Sequence, residues 1–492
     1  MTVVGCEALT ESPSPLRHPS LDLSAPLSHP AHMRVFLSGL AAALTLSTAV
    51  LAAEPADTAA ALRDKALGDT TAWTILEDLT TEIGPRPVGS PAMTRAKDWA
   101  VETLTAYGFT NIKVEEFAKP TWRRGAESAS IIAPYPLKLS IIGLGGSVPT
   151  PAKGVEGEVV IFRTLAELEA VPDGSLAGKI AVVTTPMVRT QSGEGYGAVG
   201  AVRRTGPSIA GRKGAIAYLT RSVSTSDSRL AHTGIMRYAE GAPQIPAAAL
   251  GVPDAEQLER LAARGPVRVK LSMASSVDPK SVAWNISGDI VGSERPEQII
   301  VVGGHLDSWD VGTGAIDDAS GIAITTAAGK LIGDLPRHPK RTIRVVMWGS
   351  EETGGSSEAY AAARKNEMPN LVIAGESDFG AGRIYALQLP ARAMTSGALA
   401  PLPGLMAPLK VFVSRDPARG GGADTEGLEK AGVPAFSLRQ DGTRYFDFHH
   451  SEDDTLDKVD PDDLQQNVAA WVALLYMIAD TDIDFRALKD AK

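Results

Sequence analysis

Cysteine is almost absent from the sequence, whose 492 residues include one, Cys6. A chain with a single cysteine forms no internal disulfide, and beyond residue 6 it offers no thiol as a nucleophile or a metal ligand. Any metal site in the body of the chain must therefore use histidine nitrogen and carboxylate oxygen. A protein without disulfides remains compatible with export to a periplasm or to the extracellular space.

Clusters of basic residues are absent as well. The net charge is −10, the isoelectric point is about 5.4, and no more than two basic residues are adjacent anywhere in the chain. Binding to a phosphate backbone needs clustered lysine and arginine, so a nucleic-acid partner is not expected. The apolar fraction of 44% is typical of a globular protein with an ample core. The length predicts two domains, or one large domain with an insertion.

A largely apolar run at residues 35–51 follows Arg34 and ends in small residues. This order predicts a secretory signal peptide at residues 33–53, because the run is short for a membrane span. The mature chain is therefore expected to begin near residue 54, without a stable membrane span, and to be exported as a periplasmic or secreted protein. Residues 1–32, rich in proline and serine, are predicted to be an upstream extension.

Strand and helix patterns alternate through the rest of the chain, most regularly after residue 276. Buried strands are predicted at residues 299–302, 342–348, 371–374, 410–413 and 435–438. Helical segments between them show apolar residues at spacings of three and four. The alternation predicts an α/β fold with a mostly parallel central sheet flanked by helices. Residues 151–275 contain short β-type runs and predict a small β-rich insert, which divides a catalytic domain into residues 54–150 and 276–492.

Histidine and acidic residues follow four of the predicted strands. They are His305, Asp307, Asp310, Asp317 and Asp318, then Glu351 and Glu352, then Asp378, and finally His449 and His450. Taken singly, such acids are most often solvated, and Asp318 is also in place to cap a helix. Ligands in α/β proteins collect at the carboxyl ends of strands, so these side chains are expected to meet. Nitrogen and oxygen ligands without sulfur suit zinc, cobalt or manganese, and five of them with one bridging carboxylate can build a two-metal hydrolytic centre.

Four ordered motifs resemble those of the di-zinc exopeptidases, a family of secreted aminopeptidases and glutamate carboxypeptidases, and most closely its carboxypeptidase Q branch. The motifs are GGHLDSWDVGTGAIDDASG at 303–321, GSEETGG at 349–355, ESDFG at 376–380 and FHHSEDDT at 448–455. The resemblance covers about residues 58–492. It implies a peptide substrate, two Zn²⁺ ions, with Co²⁺ or Mn²⁺ as alternatives, and a homodimer. It also implies that the insert is a protease-associated domain.

The resemblance assigns a role to each matching residue. Asp317 would bridge both metals, His305 and Asp378 would complete one site, and Glu352 and His450 the other. Glu351 would be the general base for the attacking water. Asp307 would orient the ring of His305, Asp318 would follow Asp317 through a cis peptide bond, and His449 stands where some relatives have a tyrosine that binds the oxyanion.

The predicted function is that of an exported di-zinc exopeptidase that hydrolyses dipeptides or short peptides. A broad-specificity aminopeptidase, a glutaminyl cyclase-type acyltransferase and a non-catalytic receptor-like homologue remain alternatives. The GxGxxG match at 195–200 lacks a strand directly before it and is not expected to bind a nucleotide. Four arginines are candidates for holding a substrate carboxylate: Arg415, Arg419, Arg439 and Arg444. His232 and His338 are expected to be ordinary surface or loop residues.

Overall fold

The computed structural model describes residues 54–391 and 393–487. The predicted upstream extension at 1–32 and the signal peptide at 33–53 lie outside the described residues. Within the described ranges, no helix combines the length and apolarity that crossing a membrane would require.

Twelve α-helices lie in the described part of the chain. In chain order they are α1 (Pro55–Ala66), α2 (Thr71–Asp78), α3 (Pro91–Ala106), α4 (Leu165–Ala170), α5 (Glu194–Arg212), α6 (Val252–Ala262), α7 (Ser320–Gly333), α8 (Ser356–Ala363), α9 (Leu402–Met406), α10 (Glu426–Lys430), α11 (Tyr445–Phe448) and α12 (Pro461–Ala479). A short π-helical turn occupies Leu79–Ile83, and Ala315–Ala319 is a kinked turn in which Asp317 and Asp318 have non-helical backbone angles. Helix α12 begins at Pro461, and the side chain of Asp460 caps it by accepting the backbone N–H groups of Asp462 and Asp463.

Eighteen strands accompany these helices. They are β1 (Thr110–Ala118), β2 (Thr121–Arg123), β3 (Glu127–Ala133), β4 (Leu137–Leu139), β5 (Ile141–Gly143), β6 (Val155–Phe162), β7 (Ile180–Val183), β8 (Ala217–Arg221), β9 (Ala247–Leu250), β10 (Arg268–Met273), β11 (Ser276–Asp278), β12 (Val282–Ile290), β13 (Arg295–His305), β14 (Arg341–Trp348), β15 (Leu371–Glu376), β16 (Ile384–Gln388), β17 (Phe412–Val413) and β18 (Ser437–Gln440). Six 3₁₀ turns lie between the later elements, at Met368–Asn370, Ala393–Thr395, Gly397–Leu399, Ala407–Leu409, Ala423–Thr425 and Leu456–Lys458.

The central sheet has five strands in the order β1-β12-β14-β13-β15. Strands β14, β13 and β15 are parallel, whereas β1 pairs with β12 and β12 with β14 in antiparallel fashion. The α/β prediction therefore holds, but the sheet is mixed rather than mostly parallel. The apolar runs predicted which segments are buried strands, and such runs contain no information about strand direction.

The last two predicted strands do not join the central sheet. Strands β17 and β18 lie on either side of β16 in a separate three-stranded sheet, and β17 is only two residues long. The 435–438 segment pairs with β15 through a single β-bridge, between Ala435 and Ala374. His449 and His450 consequently follow the short helix α11 rather than a strand of the central sheet.

Both faces of the central sheet are covered. Alternate residues of β13 point to opposite faces, as pleating requires. Ile300 and Val302 belong to a large core shared with α7 and α12, whereas Ile299 and Val301 pack in a smaller core with residues of α8 and α10. Burial on both faces explains why residues 299–302 of β13 and 345–348 of β14 are continuously apolar.

A second sheet of eight strands is built from residues between 127 and 273, in the order β4-β3-β10-β6-β7-β8-β9-β5. Strands β6 to β9 are parallel, helices α4 and α5 lie between them in sequence, and α6 follows β9. Two separate apolar clusters contain the residues of this sheet. Residues 151–275 make up most of it, and β3 to β5 add residues from before that range. Its identity as a protease-associated domain stays a prediction.

Candidate metal centre and active site

Five buried or partly buried side chains meet at the carboxyl ends of the parallel strands. His305 is the last residue of β13, Asp317 lies in the turn before α7, Glu352 follows β14, Asp378 follows β15, and His450 follows α11. The structure thus brings together every residue that the sequence predicted as a metal ligand. Four separate loops and a strand end deliver them, which is why no local segment resembles a metal-binding motif by itself.

Asp317 lies at the centre of this cluster. Its Oδ1 lies 3.0 Å from His305 Nε2, and its Oδ2 lies 3.2 Å from His450 Nε2. Asp378 Oδ1 lies 3.5 Å from His305 Nε2, and Glu352 Oε2 lies 3.0 Å from His450 Nε2. The cluster therefore has two halves, each with one histidine and one further carboxylate, and the halves share Asp317.

The donor atoms fit divalent metal ions. Ligands at 2.0–2.1 Å from a tetrahedral zinc ion lie roughly 3.3 Å from one another, close to the separations in both halves. Several donor atoms are buried without a hydrogen-bond partner, namely Asp317 Oδ2, Glu352 Oε1, Asp378 Oδ1 and His449 Nδ1. Orphaned polar atoms of this kind are costly unless a further group satisfies them. A metal ion in each half would satisfy the three carboxylate oxygens among them.

The electrostatics of the protein alone also favour bound cations. Burial, reinforced by the Asp317 carboxylate, raises the pKa of Glu352 to about 7. Burial and the neighbouring Asp378 raise the pKa of Glu351 well above its usual range. Burial alone would lower the pKa of His305, but Asp378 and the other nearby carboxylates raise it well above 6.5. The cluster holds more negative charge than its histidines compensate, and divalent cations would neutralise the excess.

The residues next to the ligands hold them in place. His305 Nδ1 lies 2.9 Å from the backbone carbonyl oxygen of Asp307 and 3.7 Å from its carboxylate, so the main chain is the nearer partner of the ring. The Asp307 carboxylate instead accepts the backbone N–H of Glu351 at 3.0 Å. Asp318 follows Asp317 through a cis peptide bond and accepts the backbone N–H groups of His305 and Gly321.

His449 stacks on His450 with ring centroids 3.5 Å apart, and its Nε2 lies 3.6 Å from Asp317 Oδ2. Burial and the adjacent His450 lower the pKa of His449 well below 6.5. His449 is therefore a neutral imidazole beside the ligand cluster, and its Nδ1 has no hydrogen-bond partner. The predicted substrate contact of His449 is compatible with this position.

A cavity of about 390 Å³ lies directly over the cluster. Its walls include Asp317, Glu351, Glu352, Asp378, His449 and His450 from the catalytic part, together with Tyr196, Arg203, Ile235 and Arg237 from the segment between β7 and β9. The eight-stranded sheet region thus supplies part of the substrate space. None of the four arginines predicted to hold a carboxylate lines this cavity.

His232 lies in a loop, as expected, but it is buried rather than at the surface. Its Nδ1 lies 2.6 Å from the backbone oxygen of His449, and the neighbouring Thr233 N–H donates to the backbone oxygen of His450. These contacts fasten the insert region to the loop that presents both histidines. The GxGxxG match at 195–200 lies inside helix α5, where it forms no nucleotide-binding loop.

Arg86 and Asp454 are structural supports of the site that the sequence did not reveal. The guanidinium of Arg86 is fully buried and donates to the backbone oxygens of Leu306, Thr313 and Gly314 at 2.5, 2.6 and 3.0 Å. Asp454 accepts the N–H of Ile316 at 2.7 Å. Burial lowers the pKa of Arg86 to about 10. Together these two residues fix the loop between His305 and Asp317.

We expect Arg86→Leu to lower the free energy of unfolding by about 3–5 kcal/mol. The substitution leaves several buried carbonyl groups without their donor and removes the positive charge that acts on the buried Asp454 carboxylate. Urea denaturation of the metal-free protein measures this loss. Arg95→Leu, at an exposed position on α3, is the matched control and should change stability by less than about 1 kcal/mol. Equal effects of the two substitutions would contradict the supporting role of Arg86.

A buried histidine and carboxylate cluster at strand ends, beneath a cavity, is the arrangement of a metal-dependent hydrolase. Residues 285–475 match the sequence profile described as Peptidase family M28. The chain is 36% identical over 407 residues to carboxypeptidase Q of Bos taurus, which covers 82% of this chain and 84% of that relative. The chain belongs to peptidase family M28 and is a metallopeptidase, as the motifs predicted.

Solved structures agree with this assignment. A peptidase M28 precursor from Shewanella amazonensis SB2B superimposes with a TM-score of 0.85 at 40% identity, covering 87% of this chain and 98% of that chain. A zinc aminopeptidase from Bacillus subtilis, with a TM-score of 0.60, 17% identity and coverage of 86% and 98%, shares the fold.

Proposed function

We propose that the protein is an exported di-zinc exopeptidase that hydrolyses dipeptides or short peptides, with Glu351 as the general base. The observation that supports two metals is the position of the Asp317 carboxylate, whose two oxygens face different histidines at 3.0 and 3.2 Å. His305 and Asp378 would hold one zinc ion, Glu352 and His450 the other, and Asp317 both. Zinc bound there supplies Lewis acidity to polarise a peptide carbonyl and to activate water.

Glu351 is placed to move protons during the reaction. It lies beside Glu352 on the loop after β14, lines the cavity, and is held at its backbone N–H by Asp307. Its carboxylate would take a proton from the attacking water and then deliver it to the leaving amine. The two glutamates lie in the turn after β14, where Glu352 Oε2 is 3.0 Å from His450 Nε2. Glu352 can therefore face a metal while Glu351 faces the substrate.

The size of the cavity favours small substrates. A volume of about 390 Å³ lies at the lower end of the range of about 300–1,000 Å³ for small-molecule sites. Such a space suits a dipeptide or a short peptide end better than an internal segment of a folded protein. Residues of the insert region line one wall, which favours a role for that region in selecting peptide length.

The alternatives differ from this proposal in specific ways. A glutaminyl cyclase-type acyltransferase uses one zinc ion, whereas the two matched halves around Asp317 favour two. A receptor-like homologue would be expected to have lost ligands, and here each predicted ligand position and Glu351 are filled. A broad aminopeptidase has the same metal chemistry and differs in the peptide terminus that it recognises.

Removing the metal tests the proposal. We expect the zinc-loaded protein to hydrolyse alanyl-leucine, to lose that activity on treatment with a chelator, and to regain it with about two equivalents of zinc. N-acetylated and C-amidated versions of the dipeptide show which terminus is required. Full activity after complete chelation would contradict the metal mechanism, and pyroglutamate formation from an N-terminal glutamine peptide with one bound zinc would favour the cyclase alternative.

Export and a homodimer are parts of the proposal that rest on the sequence. The predicted signal peptide at 33–53 implies a periplasmic or secreted enzyme, and the family resemblance implies two copies. N-terminal sequencing of the protein recovered from its cellular compartment and its mass in solution would test the two expectations.

A further inference from the structure

Arg203 is a buried arginine without an acidic partner in the wall of the active-site cavity. Its exposed fraction is 4%, and it lines the same cavity as Glu351. Its Nη1 donates to the backbone oxygen of Thr233 at 3.1 Å and its Nη2 to the hydroxyl of Tyr196 at 2.6 Å. Its Nε is buried and has no hydrogen-bond partner. Among the described residues, no carboxylate oxygen lies within the 4.0 Å of an ion pair with it.

This arrangement leaves a positive charge only partly compensated. Arginine is seldom fully buried unless it is paired, because removing the guanidinium from water is unfavourable. The Tyr196 ring, whose centroid lies 5.3 Å from the guanidinium carbon, contributes a cation–π contact. Neutral partners and an aromatic ring stabilise the group without cancelling its charge. An anion in the cavity would complete the pairing.

The backbone leaves space for this guanidinium. Gly234 has a φ of +139°, and a Cβ built on it would lie 2.1 Å from Arg203 Nη1. Any larger residue at position 234 would therefore displace the arginine. Tyr196 and Arg203 lie seven residues apart on α5, which places them on one face of the helix two turns apart. Helix, glycine and tyrosine together hold the guanidinium against the cavity.

We propose that Arg203, with the hydroxyl of Tyr196, binds the free α-carboxylate at the C-terminus of the substrate. This inference rests on the proposed hydrolysis of short peptides at the metal centre, and it specifies the terminus that the enzyme recognises. The protein leaves some N–H donors of this guanidinium unpaired, and a carboxylate is the anion whose geometry a guanidinium matches best. The peptidase would then require a free C-terminus and act as a carboxypeptidase or dipeptidase.

Arg237 is the competing candidate. It lines the cavity as well, but it is exposed and donates to the backbone oxygen of Thr353 at 2.9 Å. Water can solvate an exposed guanidinium, so Arg237 does not need an anion from the substrate. The distinction between the two arginines is therefore one of burial, and each can be replaced separately.

The test compares three dipeptides on the full zinc-loaded protein: alanyl-leucine, alanyl-leucinamide and alanyl-isoglutamine, whose C-terminus is an amide but whose side chain keeps a carboxylate. We expect the wild type to prefer alanyl-leucine strongly. Arg203→Gln should lower kcat/KM for alanyl-leucine by about 10²–10³-fold, mainly through KM, and change alanyl-leucinamide by less than about threefold. Gly234→Ala should reproduce the effect by displacing the guanidinium, and Arg204→Gln, at the exposed neighbouring position, should leave the preference unchanged.

Other outcomes would overturn the assignment. An equal loss on the free acid and the amide in Arg203→Gln, with reduced zinc content, would mean that the arginine only supports Thr233 and the adjacent histidine loop. Loss of the preference in Arg237→Gln instead would move the carboxylate site to that residue. Hydrolysis of alanyl-isoglutamine as fast as alanyl-leucine would mean that a side-chain carboxylate is recognised rather than the C-terminus.

Binding measurements separate this inference from the proposed function. If the wild type hydrolyses none of the dipeptides in its zinc-loaded form, the proposed function fails. Calorimetric titration with alanyl-leucine and with its amide then still tests Arg203. Binding of the free acid but not the amide, lost in Arg203→Gln, supports the carboxylate site. Equal binding of both compounds rejects it.

Discussion

Glu351→Gln is expected to lower kcat for dipeptide hydrolysis by about 10²–10⁴-fold, the usual contribution of a general base. Glutamine has nearly the same shape but cannot accept a proton from water at neutral pH. Glu351 lines the cavity beside Asp317, and its backbone N–H stays bound to Asp307 in the variant. The KM for dipeptide and the zinc content should change little, because Glu351 is proposed to bind neither the substrate termini nor the metal. Steady-state kinetics and metal analysis of the same preparation measure both quantities.

Glu452→Gln is the matched control for this substitution. Glu452 is exposed two residues after His450, so it shares the acidic surroundings of the site without facing the cavity. Its substitution should leave kcat within about twofold. A Glu351→Gln variant with normal kcat, or one whose loss is entirely in KM, would exclude Glu351 as the base and direct attention to Asp424, a buried acid that also lines the cavity.

The cluster of ligands could be predicted from sequence because the motifs follow segments that the sequence marks as buried strands. His305 closely follows the apolar run at 299–302, and Glu351 and Glu352 follow the apolar run that ends β14. The rule that ligands collect at strand ends therefore applies to them directly. Asp317 could be placed because it precedes helix α7 in the same motif. These residues are close to elements that local sequence patterns specify well.

The supports around the cluster could not be predicted in the same way. Arg86 contacts Leu306, 220 residues away, and Arg203 contacts Thr233 from a helix whose sequence resembles a glycine-rich loop. Neither contact leaves a local pattern, because side-chain hydrogen bonds to distant backbone atoms follow from tertiary packing. The prediction of a mostly parallel sheet was wrong for a similar reason, since β12 pairs antiparallel with both β1 and β14. Apolar runs indicate which strands are buried, but the direction of pairing depends on how the chain connects the strands.

Asp317→Asn is expected to produce the largest loss of metal. The asparagine side chain keeps the shape but removes the negative charge and replaces one oxygen by an amide nitrogen that cannot accept. Because the two oxygens of Asp317 face different histidines, one half of the cluster would lose its ligand and the other would keep only a neutral amide oxygen. We expect bound zinc to fall from about two equivalents to less than one, and kcat/KM to fall by at least about 10³-fold. Metal analysis after dialysis against a weak chelator measures the first quantity.

Asp453→Asn controls for the general loss of an acid near the site, since Asp453 pairs with Lys458 at 3.0 Å outside the cluster. It should retain the wild-type zinc content. A variant Asp317→Asn that loses one equivalent and keeps the other tightly bound would mean that the carboxylate serves one half only, and the two-metal proposal would then need a different bridging group. Zinc could also be lost because the variant unfolds, so the thermal unfolding transitions of the metal-free wild type and variant are compared. If those transitions coincide while zinc binding differs, the substitution has acted on the metals themselves, and the shared carboxylate is what joins the two halves into one centre.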